Sequence, residues 1–352
     1  ITIYVGDTIT WTNNDGMGHT ATSTSGPTSF DSGNIASGGN WSFTFTESGT
    51  YEYECSYHSS MTGVITVNGW TKHDIDTSFL QARNVDVVDL DGDGDLDVLG
   101  VANTGDELAW WENTAIFALN PTWTTRTINA SADGASEVFV ADIDGDGDKD
   151  VVAAIHFDNQ VAWYENDGDP SDGGWTHHII KDYADACGTC GGMDDVFVAD
   201  MDGDGDLDVI SGHGGDDKVL YHINDGTPGN GVWTTKTVAS GSDADSPESV
   251  HAADIDGDGD MDVVAAFFMS NNIVWYENDG NPNNGGWDDH DVITGGSGKQ
   301  PYEVDVGDID GDGDLDIVEA DQSNKIYWYE NDGTPDEGTW SQTKIKGGVT
   351  AA

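Results

Sequence analysis

The sequence predicts an all-β chain, with a small β-sandwich over residues 1–69 and a β-propeller of about five four-stranded repeats over 70–352. Three observations carry this prediction. The stretch Asp89-Leu-Asp-Gly-Asp-Gly-Asp-Leu-Asp97 returns at 142–150, 200–208, 254–262 and 308–316, at intervals of 53, 58, 54 and 54 residues. A period in that range marks a solenoid, propeller or array. Short Val-, Ile- and Trp-rich runs bounded by Asn-Asp-Gly turns surround each copy, and four short strands per repeat is the content of one propeller blade. Before residue 70 the chain alternates apolar and polar residues at period two, and no helical pattern of useful length occurs anywhere.

The 352 residues carry 67 acidic and 11 basic side chains, a formal net charge of -56. Five bound Ca²⁺ ions would leave about −46, so the acid loops alone do not account for the acidity. With no Lys/Arg patch to neutralise phosphates or anionic headgroups, nucleic acid and membrane surfaces are excluded as partners. No run of 18 apolar residues is present, so no transmembrane helix and no membrane insertion are expected. The opening Ile1-Thr-Ile-Tyr-Val reads as the middle of a strand, hence as a processed or partial chain. Calcium sites of millimolar affinity work outside cells, so the expected location is extracellular or at the cell surface. Asn40-Trp-Ser42 and Asn129-Ala-Ser131 are glycosylation-type sequons that weigh little.

In order along the chain, Thr2 to Thr12 reads as a strand with an early turn, and Asn13-Asn-Asp-Gly as a turn that leads to His19. Strands follow at Trp41 to Thr46, Gly49 to Cys55 and Gly63 to Val67. The Val-Gly-Asp-Thr-Ile-Thr-Trp strand, His19 and Cys55-x-x-His58-x-x-Met61 before a final strand together resemble the cupredoxins, the blue-copper family of plastocyanin, amicyanin and pseudoazurin. The resemblance implies one type 1 copper held by His19, Cys55, His58 and Met61, with His58 as the exposed ring through which electrons pass. The chemistry agrees, because a thiolate and two imidazoles suit copper and a long thioether tunes its potential. The chain departs from the family in two ways. Ser56-Tyr57 stands where a proline is common, and the first strand of the family's sandwich is missing, which leaves an edge that invites a strand from elsewhere.

Each acid loop reads as a calcium loop, since a hard cation wants six to eight oxygens and glycine lets alternate side chains converge. In the first copy Asp89, Asp91, Asp93 and Asp97 are expected to give side-chain oxygens, and Asp95 its backbone carbonyl. The other four ions fall to Asp142, Asp144, Asp146, Asp148 and Asp150; Asp200, Asp202, Asp204, Asp206 and Asp208; Asp254, Asp256, Asp258, Asp260 and Asp262; and Asp308, Asp310, Asp312, Asp314 and Asp316. An EF-hand is excluded, because a strand rather than a helix follows each loop.

Around each loop, a Trp strand is read as the opener (Trp70, Trp123, Trp175, Trp233, Trp287) and Trp-Tyr-Glu-Asn-Asp-Gly as the closer. These units resemble the FG-GAP/VCBS repeats of integrin-type propellers, which implies a calcium-loaded propeller whose Trp and Tyr are packing residues. Trp340 to Ile345 then starts a sixth unit that never arrives. Either five blades close with a surplus strand, or the ring is incomplete and is finished by another chain.

Cys187-Gly-Thr-Cys190 has no second pair and no thioredoxin-like surroundings, so it reads as a local disulfide. His177 and His178 are expected at the surface, and His156, His213, His222 and His251 share no spacing. No nucleophile elbow, phosphate loop or acid/base pair appears, so no enzymatic activity is expected. The first functional reading is an extracellular calcium-stabilised structural or adhesion protein. It would partner itself or another surface protein, self-assemble into a fibre or layer, and carry a copper-binding domain. The second is a blue-copper electron-transfer protein whose propeller docks a redox partner.

Overall fold

A computed structural model of the chain describes residues 1–69, 73–114, 121–183, 192–242, 244–294, 300–337 and 340–347. It divides into two compact units, Ile1–Ile75 and Asp76–Ala352, a boundary six residues beyond the one expected.

The first unit is a sandwich of a four-stranded sheet and a two-stranded one. In the larger sheet β1 (Thr2–Tyr4), β6 (His58–Asn68), β5 (Gly49–Cys55) and β3 (Thr22–Ser25) lie in that order, and β2 (Thr8–Thr12) pairs with β4 (Asn40–Thr44) in the smaller. Strand β1 runs parallel to β6, whereas β5 and β6 are antiparallel. Alternation sends Ile9, Trp11, Trp41 and Phe43 toward a core of Phe30, Phe45, Tyr51, Ile65 and Val67.

The second unit holds five antiparallel four-stranded blades. Blade 1 is β7 (Ala82–Val88), β8 (Asp97–Ala102), β9 (Glu107–Asn113) and β10 (Trp123–Asn129). Blade 2 is β11 (Ala135–Ala141), β12 (Asp150–Ile155), β13 (Gln160–Glu165) and β14 (Thr176–Asp182). Blade 3 is β15 (Met193–Ala199), β16 (Asp208–His213), β17 (Lys218–Ile223) and β18 (Thr234–Ser240). Blade 4 is β19 (Pro247–Ala253), β20 (Asp262–Phe267), β21 (Asn272–Asn278) and β22 (Trp287–Ile293). Blade 5 is β23 (Pro301–Gly307), β24 (Asp316–Asp321), β25 (Lys325–Glu330) and β26 (Ser341–Gly347). In every blade the acid loop joins the first strand to the second.

This arrangement corrects the expected reading frame. The Trp strand closes its blade as the fourth strand, so β26, just after Trp340, belongs to blade 5 and is not surplus. The unmatched copy of the pattern is the one at Trp70, which lies outside the described residues. A tandem repeat has no intrinsic first strand; only the pairing partners set its frame.

Consecutive inner strands pack in series, β7 on β11, β11 on β15, β15 on β19 and β19 on β23. Large aromatics fill the spaces between blades, with Trp110, Trp163, Trp275, Tyr164, Tyr221 and Tyr329 fully buried. They are packing residues, not a stacking surface for a ligand. The series ends in two open walls. Val85 of blade 1 is 60% exposed, whereas its counterparts Val138, Val196, Val250 and Val304 are at 2–4%. On the far side Ile309 of blade 5 is 50% exposed, whereas Leu90, Ile143, Met201 and Ile255 are at 2–3%. Near the axis the Arg83 guanidinium donates to Tyr302 Oη at 3.0 Å, so a long side chain links the first and last inner strands. The ring is an incomplete propeller.

Candidate metal centres

In the sandwich, Cys55 ends β5 and His58 begins β6, a two-residue reversal that turns both side chains to one side. His19 comes from the segment before β3, where its backbone N–H donates to Ile35 O at 3.1 Å and its carbonyl accepts from Ile35 N at 2.7 Å. These elements bring His19 Nδ1 to 3.6 Å and His58 Nδ1 to 3.5 Å from Cys55 Sγ. The Thr20 amide donates to the same sulfur at 3.4 Å. Burial pushes the Cys55 thiol up, but the Thr20 amide and the two imidazoles outweigh it and hold it at about 6. Cys55 is therefore largely thiolate near neutrality, the form that binds metal. His19 is raised, first by Cys55 and then by Asp15, whose carboxylate lies 2.7 Å from its Nε2.

Met61 stands on β6 rather than on a loop, is half-exposed, and lines with His19 and Cys55 a cavity of about 590 Å³. The donor set of one thiolate and two imidazole nitrogens fits copper. His19, Cys55 and His58 would hold the ion, with the Met61 thioether beside them, and bound copper would supply a one-electron couple.

The five acid loops are built alike. Glycines at the fourth and sixth positions take positive φ, as at Gly92 (74°) and Gly94 (95°), a backbone open to Gly without strain. In the first four loops the sixth-position amide donates to the first Asp, as Gly94 does to Asp89 at 3.1 Å and Gly147 to Asp142 at 3.0 Å, and in the fifth the fourth-position Gly311 donates to Asp308 at 2.7 Å. The ninth-position Asp is the anchor. Asp97, Asp150, Asp208, Asp262 and Asp316 are buried. One oxygen of each accepts the second-position amide, as Asp262 does from Ile255 at 2.9 Å. The other accepts the Asn amide after the third strand, as from Asn278 at 2.8 Å. Burial pushes Asp150, Asp208 and Asp262 up to about 7 and Asp97 to about 6, against those amide bonds.

Ligand atoms of Asp89, Asp91 and Asp97 lie within 4.8 Å of one another, as do those of Asp142, Asp144 and Asp146, of Asp200, Asp202 and Asp208, and of Asp254, Asp256 and Asp262. The first, third and ninth positions thus converge in three loops, and the fifth joins in one. Asp89 Oδ1, Asp142 Oδ1, Asp202 Oδ1 and Asp254 Oδ1 are buried without a hydrogen-bond partner, as an oxygen facing a cation would be. At the seventh position Asp148, Asp206, Asp260 and Asp314 turn their carboxylates against Gly168, Gly226, Gly280 and Gly333 of the Asn-Asp-Gly turns.

Two sets of residues in this unit escaped the sequence reading. Asn224 Nδ2 donates to Ile143 O of the preceding blade at 3.1 Å, Asn278 Nδ2 to Met201 O at 3.0 Å and Asn331 Nδ2 to Ile255 O at 3.2 Å. At the axis Glu137, Asp195 and Glu303 face one another. Burial, then the charges of its two neighbours, pushes Glu137 well above the carboxylate range. Burial and then Glu303 raise Asp195, although Val250 N donates to it at 2.6 Å. The asparagines stand in the closer motif and were readable as recurrent; the axial acids were not, because the corresponding positions in blades 1 and 4 are Asn84 and Ser249.

Apart from His19 and His58, two of the histidines have separate, local roles. His178, expected at the surface, stacks on Trp163 at 4.5 Å and bonds Glu165 at 2.6 Å, and His290 repeats this with Trp275 and Glu277. Cys187 and Cys190 lie outside the described residues. No helix among the described residues is long and apolar enough to cross a membrane.

A copper-protein sandwich and a repeat propeller are thus the classes that fold and site define. Residues 89–153, 142–211, 200–265 and 256–319 match the family model described as FG-GAP-like repeat, and residues 1–68 match that of copper binding proteins of the plastocyanin/azurin family. The chain belongs to the FG-GAP-like repeat family and carries a plastocyanin/azurin-type domain at its amino end.

Similar solved structures include a reduced amicyanin variant, 32% identical, covering 19% of this chain and 68% of that one with a TM-score of 0.18. A purple cupredoxin from Nitrosopumilus maritimus is 35% identical and covers 19% of this chain and 76% of that one, with a TM-score of 0.18. Among curated proteins no match is found.

Proposed function

We propose that the chain is an extracellular scaffold, braced by calcium in its blades, whose amino-terminal domain binds one copper ion and passes single electrons. The observation that carries this reading is the gathering of His19 Nδ1, Cys55 Sγ and His58 Nδ1 within 3.6 Å contacts on three different backbone segments. A site assembled before the ion arrives suits electron transfer, since little has to reorganise between oxidation states. Titrating the protein with Cu²⁺ is expected to saturate at one equivalent and to produce an intense visible thiolate-to-copper band. Cys55→Ser should abolish that band; a Cys55→Ser protein with the same spectrum would overturn the reading.

An adhesion or fibre role is favoured by a separate observation, the exposure of Val85 and Ile309 at positions that are buried in every interior blade. Apolar walls of this kind fit a further blade, from a second copy or from another surface protein. Electron microscopy in millimolar calcium and after chelation tests it: ordered polymers that dissolve on chelation support assembly, and dispersed particles in both conditions count against it.

A further inference from the structure

The turn between β2 and His19 is more tightly built than a surface connection needs to be. Asn13, buried at its start, donates from Nδ2 to Met17 O at 2.6 Å and to Ile35 O at 2.9 Å, and its Oδ1 accepts the Asp15 amide at 3.1 Å. Asp15 Oδ1 accepts the Met17 amide at 2.7 Å, which leaves Oδ2 aimed at His19 Nε2, also at 2.7 Å. Each contact restrains the next, so the carboxylate is held in place although Asp15 itself faces solvent.

From this geometry we infer that Asp15 is a positioning residue that fixes the His19 tautomer and tunes the copper couple. An ionised carboxylate can only accept a hydrogen bond, so the proton of a neutral His19 ring sits on Nε2. The lone pair is then on Nδ1, the nitrogen that faces Cys55 Sγ. Without that partner the two tautomers of a histidine lie close in energy, and part of the population would present N–H toward the metal position. The hydrogen bond also makes the ring a more basic donor, and such outer partners typically contribute 10–100-fold in metal affinity. A more basic ligand next to a negative charge favours the cupric ion over the cuprous ion. Asp15 therefore holds the potential down.

This inference rests on the copper reading, and the test separates the two. Nitrogen NMR of the metal-free protein reports the His19 tautomer with no metal present. At a pH well above the raised titration of the ring, where it carries one proton, the wild type is expected to show that proton on Nε2 alone, Asp15→Ala a mixture, and Asp15→Glu a return toward the wild-type form. In the copper-loaded protein, Asp15→Asn is expected to weaken Cu²⁺ binding about tenfold while Cu⁺ binding stays unchanged, a rise of about 59 mV in a one-electron potential. An unchanged tautomer in Asp15→Ala, or an unchanged potential in Asp15→Asn, overturns the role of Asp15. A wild-type protein that acquires no Cys55-dependent visible band overturns the copper reading instead, and the tautomer measurement still decides what Asp15 does.

Discussion

Glu137 and Asp195 share the propeller axis with Glu303, and each carboxyl is raised by burial before any neighbour acts on it. A carboxyl raised on folding binds its proton more tightly in the folded state, so folded chains hold more protons than unfolded ones above the ordinary carboxylate range. Stability must then fall as pH rises from about 4 into the alkaline range. With calcium saturating throughout, the melting temperature is expected to drop between pH 5 and pH 9. Replacing the pair, Glu137→Gln with Asp195→Asn, should flatten that profile; a wild-type profile that rises with pH would contradict the assignment. At this scale the group of His19, Cys55 and His58 was legible in the sequence, because these residues stand in family order. The axial acids were not, since only strand pairing shows that residues 58 and 108 positions apart share one axis.

At the level of single elements, the acid loop joins two roles that spacing alone does not separate. The ninth Asp holds two backbone amides and is a structural anchor as well as a candidate ligand. The third Asp accepts only one amide, within its own exposed loop, as Asp256 does from Asp258 at 3.1 Å, and an Asn there keeps that acceptor. Asp256→Asn should therefore remove calcium-dependent stabilisation of one blade while leaving the metal-free protein near wild type. Asp262→Ala should also lower metal-free stability by about 1–3 kcal/mol, the cost of stranding buried amides. Differential scanning calorimetry with and without calcium distinguishes these outcomes; equal losses in both variants without calcium would refute the division of labour. The strands were legible wherever apolar residues alternate. β3 was missed because Thr22-Ser-Thr-Ser25 carries no apolar signal and is a strand only through its pairing with β5.

For the whole molecule, the two open walls predict an asymmetry between equivalent positions. Val85 and Val250 occupy the same place in their blades, yet only Val250 is buried. Val250→Asp strands a charge in a packed interface and should cost several kcal/mol, whereas Val85→Asp should change stability by no more than about 0.5 kcal/mol. Chemical denaturation measures both. If the chain assembles through its walls, Val85→Asp should also abolish the polymers without unfolding the subunit. The repeat count and blade content were legible from the period. The strand that begins each blade was not, because every cyclic reading of a tandem repeat gives the same sequence pattern.

The asparagine amides that reach from one blade to the loop of the blade before it have a mechanical meaning. Asn278 takes its own backbone position from Asp262 and spends its side chain on Met201 O, so the loop of blade 4 is tied to the loop of blade 3, and Asn331 ties blade 5 to blade 4 in the same way. Connected in series, such ties bear load one at a time. Under a pulling force the propeller should peel from an open wall, one blade per step, with each step waiting on the next tie. Calcium would set the height of each step. Asn278→Ala, which loses the tie without touching a carboxylate, should lower the rupture force of a single step in optical-trap traces and leave the others where they were.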